Sequence, residues 1–459
     1  MWSSFLFFLL SLQALFLVPS FSTNAQHQPQ HFEPMNINMD SSETETLFHI
    51  METMSSDRKW RLSNPTPCKP GSSWPGLACK LGKDNHLHVS RLDFGTPPNP
   101  TCKKTAVFPS QIFNLPYLES VFFFNCFTHT KTAFSIPQQT AQKTSSPLQQ
   151  LSLRSNQALV GSIPLKISSL KSLQILTLSQ NHLHGKVPDE ISTLTSLVHL
   201  DLSYNFLTGS IPDQIGKLKN LVGLDLSYNS LTGSIPESIG QMCLLQKLDL
   251  SSNSLTGNIP DSLQSLSSLV FMALSSNRLK GKFPAGMSML QSLQYFIMDD
   301  NPMFMPLPAE IGRLVRLQEL RLANSGYSGV IPESFSQLRN LSTLSLQNNN
   351  LTGEIPVGLK NLSHIYHLNL SRNMLGGVVP FDAGFLNRLG RNLDLSGNPG
   401  LCLNKSEGFI GTKIGVGVCG NNNRNGSFVL PLKKSGATPS AFCKLCNLVG
   451  YFLLWGLYQ

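Results

Sequence analysis

The sequence predicts an α/β solenoid, a single row of short strands and turns stacked side by side. Three observations predict it. An apolar residue opens each unit at Leu173, Leu197, Leu221, Leu245, Leu269, Leu293, Leu317, Leu341 and Ile365, always 24 residues apart. Asparagine returns in nearly the same phase at Asn156, Asn181, Asn205, Asn229, Asn253, Asn277, Asn301, Asn349, Asn373 and Asn398. Glycine returns at Gly161, Gly185, Gly209, Gly233, Gly257, Gly281, Gly329, Gly353 and Gly377, each followed by a hydrophobe and proline. Self-similarity at a fixed short period marks a repeat architecture.

The unit reads L-x-x-L-x-L-x-x-N-x-L-x-G-x-I-P, with a full copy from Leu197 to Asn220, and this pattern is a leucine-rich repeat. Leu-x-Leu alternates apolar and polar, so it is a short strand with one face inward. One unit cannot bury its own leucines; its neighbours do that for it. The asparagine column calls for a side chain that both donates and accepts where the chain bends and leaves backbone groups unpaired. Ser325 alone breaks that column. Glycine suits a left-handed turn, with Met305 as its exception. The next hydrophobe plugs the core, and the proline forces an extended or turn conformation.

The expected organisation is a signal peptide over 1–25, an N-terminal cap over 26–88, and irregular repeats with a loop over 89–147. Regular repeats follow over 148–398, then a C-terminal cap over 399–420 and a polar tail with a short apolar end over 421–459. Phe5 to Val18 is an apolar run from near Met1, too short to span a bilayer and followed by small residues, as in a secretory signal. From Ser41 to Lys59, Leu47, Phe48, Ile50, Met51 and Met54 recur at helical spacing. In the 89–147 stretch, Phe122, Phe123, Phe124 and Phe127 are expected as core plugs, and polar Thr128 to Ser146 as a loop.

In a secreted chain the cysteines favour disulfides over metal. Cys68 pairs with Cys79 in the N-terminal cap, Cys102 and Cys126 can staple the irregular units, and Cys402 and Cys419 close the array. Cys243 is expected as a buried hydrophobe. No metal or cofactor is implied. The net charge is +9 and scattered, whereas a nucleic-acid binder clusters its charge. Charged residues are 13% of the chain; Ser, Asn and Gly fill the outward positions instead, as suits a secreted, glycosylated surface. Sequons stand at Asn340, Asn350, Asn361, Asn369, Asn404 and Asn425.

The outward positions of the strands can be read as columns on a concave sheet face. One runs Asp201, Asp225, Asp249, Ala273, Ile297, Arg321, Ser345, Asn369, and its neighbour His199, Gly223, Lys247, Phe271, Tyr295, Glu319, Thr343, His367. A third gives Ser251, Ser275, Asp299, Ala323, and a fourth Ser252, Ser276, Asp300, Asn324. The early repeats carry a routine Asp-x-Ser face. Between Phe271 and Arg321 it turns to aromatics, isoleucine and unlike charges. Phe271, Tyr295, Ile297, Asp299, Asp300, Glu319 and Arg321 are therefore the expected ligand or partner surface. The repeating Asp201, Asp225 and Asp249 follow from the repeating strand, and no catalytic triad or metal spacing occurs, so the chain is not expected to be an enzyme.

The apolar end, Leu448 to Tyr458, is too short for a membrane helix. It leaves three readings open. One is a lipid-anchor signal near Ser435, Gly436 and Ala437; another is a soluble wall protein; the third is marginal membrane association helped by Cys443 and Cys446.

The array, the Trp60, Cys68, Trp74, Gly76, Cys79 cap and the cysteine closure resemble plant leucine-rich-repeat receptor-like proteins without a kinase. MSSDRKWR, DDNPMFMPLP, LQELRLANSGYSGVIP and LDLSGNPGLCL are similar to the Piriformospora indica-insensitive group of that family. The resemblance covers about residues 40 to 420. It implies a superhelical arc with a second short sheet, placed at the cell surface, plasma membrane or cell wall. It further implies binding of a peptide, glycan or microbial protein ligand and a membrane receptor kinase or co-receptor as partner, in microbial or growth responses. The sequence carries no kinase signature, so signalling would pass in trans. The alternative on the same scaffold is a secreted inhibitor of microbial wall-degrading enzymes.

Overall fold

The computed structural model describes residues 38–69, 71–137, 146–404 and 414–420, all within one compact unit. The expected signal segment and tail, with Asn425, Cys443 and Cys446, lie outside them. The backbone is a leucine-rich-repeat solenoid. Each coil contributes one short strand, most of three to five residues, to a 14-stranded sheet, and the strands follow one another in chain order. The first pair, Leu77–Leu81 with Leu87–Phe94, is antiparallel, and the next pair, Leu87–Phe94 with Ser120–Phe124, is parallel. From there the strands run parallel and in register, so that Asp201, Asp225 and Asp249 are direct neighbours. Across the sheet from most strands lies a 3₁₀ turn such as Asp213–Lys217, entered through Pro212 at φ −59°, and in the coil of His367–Asn369 a short α-helix, Ala383–Leu389, takes its place. Proline pre-sets that entry and gives up no needed donor.

Between strand and turn the coil is locked by asparagine. Asn205 is 6% exposed. Its Oδ1 accepts from Leu183 N (3.0 Å), and its Nδ2 donates to Leu178 O (2.8 Å) and Leu202 O (3.1 Å). One amide thus satisfies backbone groups of two coils, and Asn229, Asn253 and Asn277 repeat the arrangement. The leucines pack between the sheet and the 3₁₀ turns in one continuous core from Leu47 to Val416.

A lateral set of short strands flanks the long sheet. One five-stranded piece runs from Thr132–Ala133 to Ser230–Leu231, and another from Ser328–Gly329 to Gly417–Val418. Between them stands only the pair Thr256–Gly257 and Arg278–Leu279. Among the described residues three disulfides lie toward the ends: Cys68–Cys79, Cys102–Cys126 and Cys402–Cys419. The N-terminal cap is a helix, Ser41–Met54, started by Asp40, whose side chain accepts from Ser42 N and Glu43 N. It buries Leu47, Phe48, Ile50, Met51 and Met54 against the first coils, and Trp60 packs tilted against Trp74 with ring centres 5.1 Å apart.

Four expectations are corrected. Phe123 and Phe127 are core residues, but Phe122 and Phe124 are only half-buried. Alternation along Ser120–Phe124 sends them to the open face, where Arg91 lies 4.7 Å from the Phe122 ring. The polar stretch after Thr128 is not all loop: Thr132–Ala133 pairs with Leu159–Gly161 through backbone bonds that its polar composition did not announce, and Phe134 is buried. Residues 138–145 of that stretch lie outside the described residues. Cys243 is an exposed free thiol, because the position after buried Met242 faces out. Finally, the fourth column is not on the strand face. Ser252, Ser276, Asp300 and Asn324 occupy a turn with φ between 53° and 59°. The same left-handed turn recurs from Ser155 to Arg372, whatever the residue type.

Candidate functional site

The open face of the long sheet has two halves. In the first, each aspartate folds back on the serine two residues later: Ser203 Oγ to Asp201 at 2.6 Å, Ser227 Oγ to Asp225 at 2.6 Å, and Ser251 Oγ to Asp249 at 2.5 Å. These clasps are structural. Lys247 reaches Asp225 on the adjacent strand at 2.8 Å. Burial and the neighbouring Asp225 push the Asp249 carboxyl up to about 7. Burial works against the Lys247 charge, but Asp225 and Asp249 outweigh it and hold its pKa above the usual value. His199 is pushed down by burial and by Lys247.

Ala273 interrupts the clasp, which returns at Asn369 with Ser371 and at Asp394 with Ser396, and a different stretch of the face begins. Phe271 packs tilted on Tyr295 with ring centres 6.1 Å apart, and Lys247 Nζ lies 5.9 Å from the Phe271 ring. The Tyr295 hydroxyl donates to Gln318 Oε1 at 3.2 Å. Ile297 pairs in register with Ala273 on one side and Arg321 on the other. Arg321 Nε donates to Asp299 Oδ2 at 2.8 Å, and Asp299 Oδ1 accepts from Ala323 N at 2.7 Å. Glu319 stands 3.9 Å from Arg321. Burial raises the pKa of both Asp299 and Glu319, with Arg321 opposing it.

The structure therefore brings five of the seven expected residues onto one half-exposed patch: Phe271, Tyr295, Ile297, Glu319 and Arg321. Asp299 is 4% exposed and serves to hold Arg321 in place. Asp300 stands apart, exposed in the left-handed turn. Two features escaped the sequence reading. Arg91, Asp93 and Phe122 make a second aromatic and charged patch at the N-terminal end of the same face, with Arg91 in bonds of 2.9–3.1 Å to Asp93. Strict period-two counting along Ser120–Phe124 would have found it. The other is Phe304, which is 73% exposed although it sits where the pattern gives no outward aromatic.

The sequons divide by placement. Asn340, Asn350, Asn361 and Asn404 are exposed. Asn369 is half-buried, and its Oδ1 accepts from Ser371 N at 3.0 Å and Ser371 Oγ at 2.7 Å. It is the Asp-x-Ser clasp with an amide, so its sequon coincides with a structural motif. Among the described residues no cluster of His, Cys, Asp and Glu could hold a metal, and no helix is long and apolar enough to cross a membrane.

The leucine rich repeat family model matches residues 146–207, 205–255, 243–303 and 315–375. Receptor like protein 29 of Arabidopsis thaliana is 60% identical over 179 residues, which is 39% of this chain and 36% of that protein. The chain thus matches about a third of the length of that relative. The Arabidopsis receptor kinase HAESA ectodomain, solved with an extended IDA peptide hormone, superimposes with TM-score 0.64 at 28% identity, over 79% of this chain and 57% of that one. The PEPR1–AtPEP1 crystal structure gives TM-score 0.63 at 27% identity, over 79% of this chain and 51% of that one. The period, the lateral strands and these likenesses agree: the chain is a leucine-rich-repeat solenoid with the fold of plant receptor ectodomains.

Proposed function

We propose that the chain is an extracellular binding module of a receptor-like protein. Its open face takes a peptide or other extracellular ligand, or the ectodomain of a receptor kinase, and the signal passes in trans. The observation that carries this reading is the change of the open face at Ala273, where clasped aspartates give way to Phe271, Tyr295 and Ile297 beside Glu319 and Arg321. Aromatic and arginine anchors ringed by charge are the usual energetic centre of an interface. The likeness to ectodomains solved with peptides supports a peptide ligand. The stretches similar to Piriformospora indica-insensitive protein 2 and its relatives support a role in responses to root-colonising microbes or in growth signalling at the cell surface.

The test is affinity capture from plant membranes with the tagged full chain, in parallel with Tyr295→Ala combined with Arg321→Ala. Two anchors worth ~2 kcal/mol each would cut capture by roughly a thousandfold if additive, and in practice by at least thirtyfold. A receptor kinase recovered by the parent and lost in the variant is the expected result. Undiminished capture by a folded variant would refute the assignment of this patch. Inhibition of a secreted wall-degrading enzyme by the parent, with no kinase recovered, would favour the inhibitor reading.

A further inference from the structure

The coil from Leu293 to Arg316 departs from the period at several points that depend on one another. Pro302 replaces a residue with an N–H, and the lateral sheet has no strand in this coil, only a bridge from Pro306 to Ser328. The left-handed turn that glycine takes elsewhere moves one residue earlier, onto Phe304 at φ 45°. A bulky side chain there costs ~1–2 kcal/mol of strain that the glycine of the neighbouring coils does not incur. The ring is thrown outward, 73% exposed, and lies over Gly326, where a Cβ would come within 2.4 Å of Cδ1. Beside it is a recess of about 340 Å³ lined by Asp300, Asn301, Pro302, Phe304, Asn324 and Gly326, at the lower end of the range for small-ligand clefts.

The polar groups of the recess have fixed roles. Asn324 Oδ1 accepts from Asn348 Nδ2 at 2.7 Å, which turns the Asn324 Nδ2 away from Asn348 as a donor. Asp300 and Asn324 sit in the same turn of adjacent coils, tied by Asp300 N to Ala323 O at 2.9 Å, and both are exposed. The site therefore offers one flat aromatic face, one two-oxygen acceptor and one amide donor. A pyranose matches that set. Its axial C–H groups meet the negative face of the ring, and its vicinal hydroxyls donate to the carboxylate and accept from the amide. An acidic sugar is disfavoured by the Asp300 carboxylate.

We infer that this recess is a saccharide subsite for a neutral, equatorially substituted oligosaccharide, separate from the open-face patch. The test is titration of the full chain with cellotetraose by saturation-transfer NMR and calorimetry, with tetragalacturonate as the acidic comparison. Saturable binding of cellotetraose is expected, with at least tenfold weaker binding of tetragalacturonate. Phe304→Ala and Phe304→Leu should both abolish it, since leucine keeps the bulk and removes the aromatic face. Asp300→Asn should weaken it about tenfold, and the Tyr295→Ala, Arg321→Ala double variant should bind cellotetraose as the parent does. No saturable binding of the tetrasaccharide would overturn the inference, as would undiminished binding by Phe304→Leu. Loss of protein capture in the Phe304 variants, without saccharide binding by the parent, would make the recess a protein contact and overturn it as well.

Discussion

Replacing Asn205 with alanine tests what holds one coil to the next. The side chain bonds four backbone groups in the buried interior: Leu183 N–H and the carbonyls of Leu178, Leu202 and Ser203. Truncation orphans the Leu183 N–H, whereas Leu178 O keeps Asn181 Nδ2 at 2.7 Å and Leu202 O keeps Asn229 Nδ2 at 3.0 Å. The orphaned donor costs ~1–3 kcal/mol and each lost bond ~1 kcal/mol, which gives about 3 kcal/mol for the site. Asn205→Ser should cost nearly as much, because a hydroxyl on Cβ is too short to span from Leu183 N to Leu178 O. The chain contains its own comparison. At Ser325 the hydroxyl donates to Ala323 O at 2.8 Å, and Met303 N turns to the Ser325 main-chain oxygen at 3.0 Å. There the backbone has rearranged around the shorter residue, so Ser325→Ala should cost only about 1 kcal/mol. The assay is amide exchange at Leu183 together with urea unfolding, since a repeat array need not unfold as one unit. Three kcal/mol corresponds to roughly a hundredfold faster exchange at Leu183. If Asn205→Ser exchanges like the parent, the asparagine column is not what locks the coils and the reasoning fails.

Two further predictions concern the N-terminal end. Gly95 has φ 109°, and a Cβ there would lie 1.8 Å from Phe124 O, so Gly95→Ala should destabilise the first coils by more than ~3 kcal/mol; a thermal midpoint within a degree of the parent would contradict this. His88 is buried between Glu43 at 2.6 Å and Asp84 at 3.0 Å. Burial favours its neutral form, but the two carboxylates outweigh it and hold its pKa above the ordinary value. The stabilisation is full below the unfolded value of about 6.5 and is lost as pH rises through the folded value. The cap should then open at lower urea at pH 8.5 than at pH 5.5, and His88→Gln should flatten that dependence; equal slopes in parent and variant would exclude this role for His88.

Much of the scaffold was legible because parallel stacking in register converts sequence period directly into spatial columns. Asp201, Asp225 and Asp249 are neighbours in space for the same reason that they are 24 apart in the chain. What was not legible lies where backbone geometry, not side-chain type, decides. The left-handed turn before each asparagine accepts Tyr204, Tyr228 and Arg372 alike, so no residue preference betrays it. Thr132–Ala133 joins the lateral sheet through backbone bonds alone. Phe122 and Phe124 were hidden inside an apolar run whose alternation matters more than its composition. For the candidate patch, the column assignment placed Phe271, Tyr295, Ile297, Glu319 and Arg321 together, but it could not show that Asp299 is occupied by Arg321 and Ala323 N.

The departures from the period are informative because they are mutually required. Phe304 can lie where it does only because position 326 lacks a Cβ. Its left-handed backbone replaces the turn that Met305 cannot make as glycine would. Asn349 then accepts from both Ser325 N at 3.1 Å and Tyr327 N at 3.0 Å, whereas Asn229 serves Leu207 N in this way. Independent drift on a tolerant surface would leave such changes uncoupled, each absorbed by its own coil. Here two adjacent coils have exchanged a regular rung for an outward aromatic ring, at a cost in backbone strain that the core does not recover, since the ring is in solvent. Strain retained without a packing return points to what the exposed ring meets outside the chain.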